Sequence, residues 1–147
     1  MRDGGCIFCA IATGEADASI VYEDDSVIAF MDRQPVTPGH LLVVPKTHTV
    51  GLEDLDEDVG IQIWKVAHQL ARVLRRSGLR CEGVNLFLAD GEAAFQEVFH
   101  VHLHVFPRFA GDPFRIDADW RPHERGQLDE TAAAVRGGVV ALAAGSD

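Results

Sequence analysis

The sequence predicts an α+β fold: five mostly antiparallel strands with one long helix packed on the sheet. Three observations carry this. Short β-prone runs alternate with turn formers over residues 19–45, one central stretch repeats apolar residues every three or four positions, and residues 99–106 alternate histidine with apolar side chains. With 147 residues, 47% hydrophobic and 24% charged, the chain has the size and composition of one globular domain, which excludes wholesale disorder and fibrous repeats.

Taken in order, Ser19 to Tyr22 and Val27 to Met31 read as two strands joined by a hairpin turn at Glu23-Asp24-Asp25-Ser26. Leu41 to Val44 is a third strand, preceded by the turn-rich Pro35-Val36-Thr37-Pro38-Gly39 and ended by Pro45. Three strands therefore precede any helix. From about Asp54 to Ser77, the residues Ile63, Val66, Ala67, Leu70, Val73 and Leu74 form one apolar helical face. Acidic residues near its start, Arg72, Arg75 and Arg76 near its end, and Gly78 beyond agree with the helix dipole and an αL cap. Gly83 to Leu88 and Val98 to Pro107 are two further strands, linked through a turn at Asp90-Gly91. Residues 1–110 are expected to form the domain, and residues 111–147 a partly helical extension packed on that domain or on a dimer partner.

A formal charge of -10 repels a phosphate backbone, so duplex nucleic acid is not an expected partner, whereas a small nucleotide needs only a few aimed donors. No apolar run has the length of a membrane span and none near the start reads as a signal peptide, so a cytoplasmic protein without a membrane partner is expected. Three cysteines do not make a disulfide framework. Cys6 and Cys9 read as metal or redox chemistry, and Cys81 as a packing thiol.

In Phe99-His100-Val101-His102-Leu103-His104-Val105-Phe106, a strand's period of two points all three imidazoles one way and Val101, Leu103 and Val105 into the core. Successive rings then stand ~6.6 Å apart, a spacing suited to surrounding one phosphate. Neutral imidazole is a nucleophile and its cation a donor, both within reach near neutral pH. The bland alternative, a solvated polar strand face, would more ordinarily carry Thr, Lys, Glu or Ser. Cys6 and Cys9 have the gap that lets two thiolates reach one tetrahedral zinc, with His48 and His100 as candidate partners; two buried thiols acting as small hydrophobes fit the spacing equally well. Asp32, ending the second strand, can accept from a vicinal diol or merely serve its turn. His40 is compatible with stabilising a turn, His68 reads as a partly buried helix residue, and His123 as surface.

These residues together resemble the histidine triad (HIT) family. The resemblance rests on His100-Val101-His102-Leu103-His104-Val105-Phe106 and on blocks in the right order before it: Cys6-Ile7-Phe8-Cys9-Ala10-Ile11, Val21-Tyr22-Glu23-Asp24-Asp25, Ala29-Phe30-Met31-Asp32, Pro38-Gly39-His40-Leu41-Leu42-Val43-Val44-Pro45-Lys46-Thr47-His48 and Gly83-Val84-Asn85-Leu86. It implies a HIT-like fold, frequent homodimers, and a hydrolase or transferase that cleaves at the α-phosphorus of nucleoside phosphoramidates or dinucleoside polyphosphates. It also implies that His102 is the nucleophile forming a nucleotidyl-histidine and that His104 donates to a phosphate oxygen or assists the leaving group. Asp32 would hold the ribose of a purine nucleotide or nucleotide ester, while Ile7, Phe8 and Phe30 wall the base and Gln96 matches a substrate-binding position. Bacterial-type members with the cysteine pair use it, with the equivalents of His48 and His100, for a structural zinc. Two departures stand out, because family members commonly carry an Asn where this chain has Ala89, and a Gly-Gln where it has Phe95-Gln96. Glu97, near a family phosphate contact, is expected to face away or keep a proton. The competing reading is a zinc-stabilised nucleotide-binding module with little or no turnover.

Overall fold

The computed structural model describes residues 5–145. Its elements are α1 (Ile7–Ala12), β1 (Ile20–Glu23), β2 (Val27–Met31), β3 (Leu41–Pro45), α2 (Glu57–Leu74), β4 (Gly83–Leu88), a short 3₁₀ turn (Glu92–Ala94), β5 (Leu103–Arg108) and α3 (Arg125–Ala144). The five strands form one sheet in the order β1-β2-β3-β5-β4 with every pairing antiparallel. Among the described residues, no helix is long and apolar enough to cross a membrane.

Alternation along the strands builds two cores. Val27, Ala29, Leu41, Val43, Leu103 and Val105 pack with Ile63, Val66, Ala67, Leu70 and Leu74 of α2, while Ile28, Phe30, Leu42 and Val44 pack with Phe8 and Ile11 of α1. The sheet centre is therefore covered on both faces. α2 begins at Asp56, whose carboxylate accepts from the Asp58 and Val59 N–H groups, with Glu57 and Asp58 favouring the positive end of the dipole.

Four expectations need correction. A helix precedes the strands: α1 is only six residues long, too short to display a period, and its N-cap is the Cys6 sulfur accepting from the Cys9 N–H. The last strand joins the sheet at Leu103 instead of Val98. Its first residues use their polar groups elsewhere, because Val101 N–H donates to the Thr49 carbonyl and the His100 carbonyl accepts from the His102 ring. Val73 lies at the edge of the α2 stripe and is exposed, and His68 lies on the solvent face rather than partly buried.

The chain divides into two compact units, one ending at Phe114 and one starting at Arg115. Residues 111–114, counted with the extension in the sequence reading, belong to the first unit, where the Arg108 guanidinium meets Asp112 and Asn85 and lies over the Phe114 ring. In the second unit, α3 starts with a reciprocal capping box between Glu124 and Gln127.

Candidate active site and metal cluster

The odd and even positions of residues 100–105 part as the alternation predicts. Val101, Leu103 and Val105 enter the core under α2, and the three histidines lie on the opposite face, towards α1. The Phe8 ring stands edge-on to both His100 and His102, with centroids 5.7 and 5.1 Å away. One short helix therefore braces both imidazoles.

The protonation of each ring follows from what its nitrogens face. His102 Nδ1 is 2.8 Å from the His100 carbonyl; a carbonyl can only accept, so Nδ1 carries the proton and Nε2 is left with its lone pair. His104 is set the other way. Val36 N–H donates to His40 Nδ1 at 3.0 Å, so neutral His40 carries its proton on Nε2, which is 2.9 Å from His104 Nδ1. Accepting there fixes the proton of His104 on Nε2. Two rings that are neighbours at a centroid distance of 5.0 Å thus present opposite functions, one a nucleophilic lone pair and the other a donor.

Burial, then the neighbouring His102 and His40 rings, pushes the pKa of His104 down to about 4, against the opposing pull of Asp32. Burial likewise lowers His40, again opposed by Asp32. Both are neutral at pH 7, as the chain of donors requires. Asp32 accepts the Gln34 N–H through Oδ1 and turns Oδ2 towards His40 Nε2 at 3.4 Å and His104 Nδ1 at 4.0 Å.

His40 is a site residue that the sequence reading left in a turn role. The β3–β5 register sets Leu42 opposite His104, so His40, two positions back on the same face, is its diagonal neighbour. That pairing joins elements about sixty residues apart and has no local signal. The approach to His40 depends on Gly39, whose φ is +107° and whose added Cβ would stand 3.0 Å from Pro107 and 3.1 Å from Leu79.

A cavity of about 740 Å³ opens beside His102 and His104. Ile7, Phe8, Phe30 and Asp32, all expected at the substrate site, line it, together with His40, Arg33, Phe95 and Glu97. Gln96 does not. Its amide accepts from Gly91 N–H and donates to the Val50 and Val98 carbonyls, so it is committed to bracing its own loop and tying it to Val50. Phe95 occupies a left-handed conformation (φ 73°, ψ 28°) with its side chain largely exposed. Glu97 is exposed and is among the residues that line the cavity.

At the other end of the row, Cys6, Cys9, His48 and His100 bring four ligand atoms within 4.8 Å of one another. Cys6 Sγ and Cys9 Sγ lie 3.3 and 3.6 Å from His100 Nδ1, and Cys9 Sγ lies 3.3 Å from His48 Nδ1. A tetrahedral zinc would set such sulfur–nitrogen edges at ~3.5 Å, so the group can hold a metal ion. His100 Nε2 donates to the Pro45 carbonyl at 2.7 Å, which leaves Nδ1 deprotonated towards the thiols.

The HIT domain profile matches residues 13–111. A HIT-like protein of Borreliella burgdorferi is 44% identical over 110 residues, covering 74% of this chain and 79% of the relative. The crystal structure of a Zn-bound histidine triad family protein from Mycobacterium smegmatis is 43% identical with a TM-score of 0.73, covering 92% of this chain and 98% of that one. A histidine triad nucleotide-binding protein from Candida albicans is 25% identical with a TM-score of 0.83, covering 94% and 99%.

Proposed function

The chain belongs to the HIT domain family, and from that premise we propose that it is a nucleotidyl hydrolase or transferase acting at the α-phosphorus of nucleoside phosphoramidates or dinucleoside polyphosphates. The observation that carries this reading is the pair of opposite tautomers, His102 with a free Nε2 lone pair and His104 with a proton on Nε2. A module that only bound nucleotide would gain nothing from a nucleophile aimed beside a donor.

The base packs against Ile7, Phe8 and Phe30, and the ribose hydroxyls donate to Asp32. The bound phosphate's negative charge offsets the burial of His104, which enters the complex as imidazolium; its added Nδ1 proton and the His40 Nε2 proton then both face Asp32 Oδ2, 4.0 and 3.4 Å away in the free chain, in place of the His40–His104 bond. His102 Nε2 attacks phosphorus. The new P–N bond forms as the bond to the leaving group breaks; the electron pair goes with the leaving group, and a leaving amine takes the Nε2 proton of His104. Water then attacks phosphorus and gives its proton to His104 Nε2, and the P–N electron pair returns to His102. The His100 carbonyl, facing Nδ1–H, stabilises the positive charge on His102 while it is nucleotidylated.

Cys6, Cys9, His48 and His100 would hold zinc, a cross-link supplying no reactivity but tying α1 and residues 45–48 to the head of the histidine row; the zinc-bound mycobacterial relative supports this. A second copy of the chain is the expected partner. Ile61 and Trp64, exposed on α2 beside an apolar groove lined by Leu52 and Leu55, support that assembly.

The test is AMP release from adenosine phosphoramidate and diadenosine polyphosphates. His102→Ala is expected to lower turnover by about 10³-fold or more while nucleotide affinity stays within about tenfold. Unchanged turnover would remove the covalent scheme.

A further inference from the structure

Resting on the reading of the cavity as a nucleotidyl-transfer site, we propose that Glu97 selects the leaving group, favouring phosphoramidates whose amine carries a positive charge and disfavouring polyphosphates. Glu97 lines the same cavity as His102 and His104. The fixed charges around that cavity are three carboxylates, Asp17, Asp32 and Glu97, against the single guanidinium of Arg33. His40 and His104 add no positive charge at neutral pH in the free protein.

Among the described residues, no cation pairs with Glu97, whereas Asp32 already accepts the Gln34 N–H and faces His40. An ionised carboxylate accepts hydrogen bonds but donates none, so Glu97 gives a phosphate oxygen nothing and repels it. In a concave site with poorly polarisable walls the repulsion exceeds its value in open water. A dinucleoside polyphosphate brings several anionic groups beyond the reacting phosphorus, and a phosphoramidate brings none. An ammonium on the leaving amine would meet the carboxylate directly. The overall charge of -10 acts in the same direction at longer range.

The experiment compares three compounds at low ionic strength: AMP linked through nitrogen to putrescine, whose far end is an ammonium; AMP linked to n-pentylamine, its neutral isostere; and diadenosine tetraphosphate. kcat/KM is measured with the native chain and with Glu97→Gln, and Kd with both chains carrying His102→Ala, so that binding is read without turnover. With Glu97 intact the putrescine compound is expected to be favoured over the pentylamine compound by about tenfold or more, and the preference to fall to about twofold or less in Glu97→Gln. Diadenosine tetraphosphate should gain about tenfold relative to the pentylamine compound in the same variant, and added salt should erase much of each difference. Equal ratios in both chains would overturn the selection and leave nucleotidyl transfer standing. A retained Kd ratio without turnover of any compound would instead remove nucleotidyl transfer and keep the charge selection. No binding of any of the three would overturn both.

Discussion

The two ends of the histidine row use the same side chain for opposite purposes. At one end, the His100 ring donates through Nε2 to the Pro45 carbonyl and turns Nδ1 towards two thiols. At the other, His104 accepts through Nδ1 from His40 and leaves Nε2–H for the cavity. His102 stands between them, with Nδ1 committed to a backbone carbonyl and Nε2 free. The role of each imidazole is thus set by the group that occupies its other nitrogen, a carbonyl in two cases and a second histidine in the third. One end is built to cross-link, the other to move a proton.

The largest effect expected from breaking this division is at the metal end. Cys9→Ser should lower unfolding free energy by ~3 kcal/mol or more and abolish stoichiometric zinc, while the folded fraction keeps its kcat within about threefold. Denaturant unfolding with metal analysis checks it, and a parallel loss of kcat in folded protein would show that the two ends are not separable. At the catalytic end the pattern should invert. His40→Asn removes the partner that fixes the His104 tautomer and should lower kcat about 10- to 100-fold, with nucleotide affinity and zinc content retained. If kcat is unaffected, His104 does not depend on His40.

The comparison sharpens with pH. His104 titrates at about 4 in the folded chain and near its ordinary 6.5 when unfolded, so between these values the unfolded chain binds the extra proton. Stability should therefore fall as pH decreases from about 6.5 towards 4, and His104→Asn should flatten that part of the urea-midpoint profile relative to the native chain. An unchanged profile would mean His104 is not held neutral by the fold. The smallest effect concerns the cavity lip. Phe95→Gly relieves a left-handed backbone at the cost of an exposed ring, and should raise stability by roughly 0.5 to 1 kcal/mol by thermal or denaturant midpoint. A fall in stability would mean the ring packs on something the isolated chain does not contain.

What was legible in the sequence was local or periodic. The α2 face, the β1–β2 hairpin and the parity of His100, His102 and His104 follow from spacings of three, four and two, which one stretch of chain displays by itself. The Cys6-Cys9 gap could nominate ligands, but the meeting with His48 and His100 required folding across 94 residues. α1 was hidden by its brevity. His40 was hidden because its partner lies 64 residues away and its importance rests on a tautomer set by the Val36 N–H. Gln96 matched a family position in sequence, yet its amide is spent on three backbone groups, one of them the Val50 carbonyl 46 residues away.

Covalent nucleotidylation of His102 can be seen by intact-mass spectrometry of protein quenched during turnover of adenosine phosphoramidate. A transient adduct of one AMP is expected, mapped to the peptide holding His102 and absent from His102→Ala. Steady AMP release with no adduct at the earliest quench times, or an adduct that persists in His102→Ala, would contradict it.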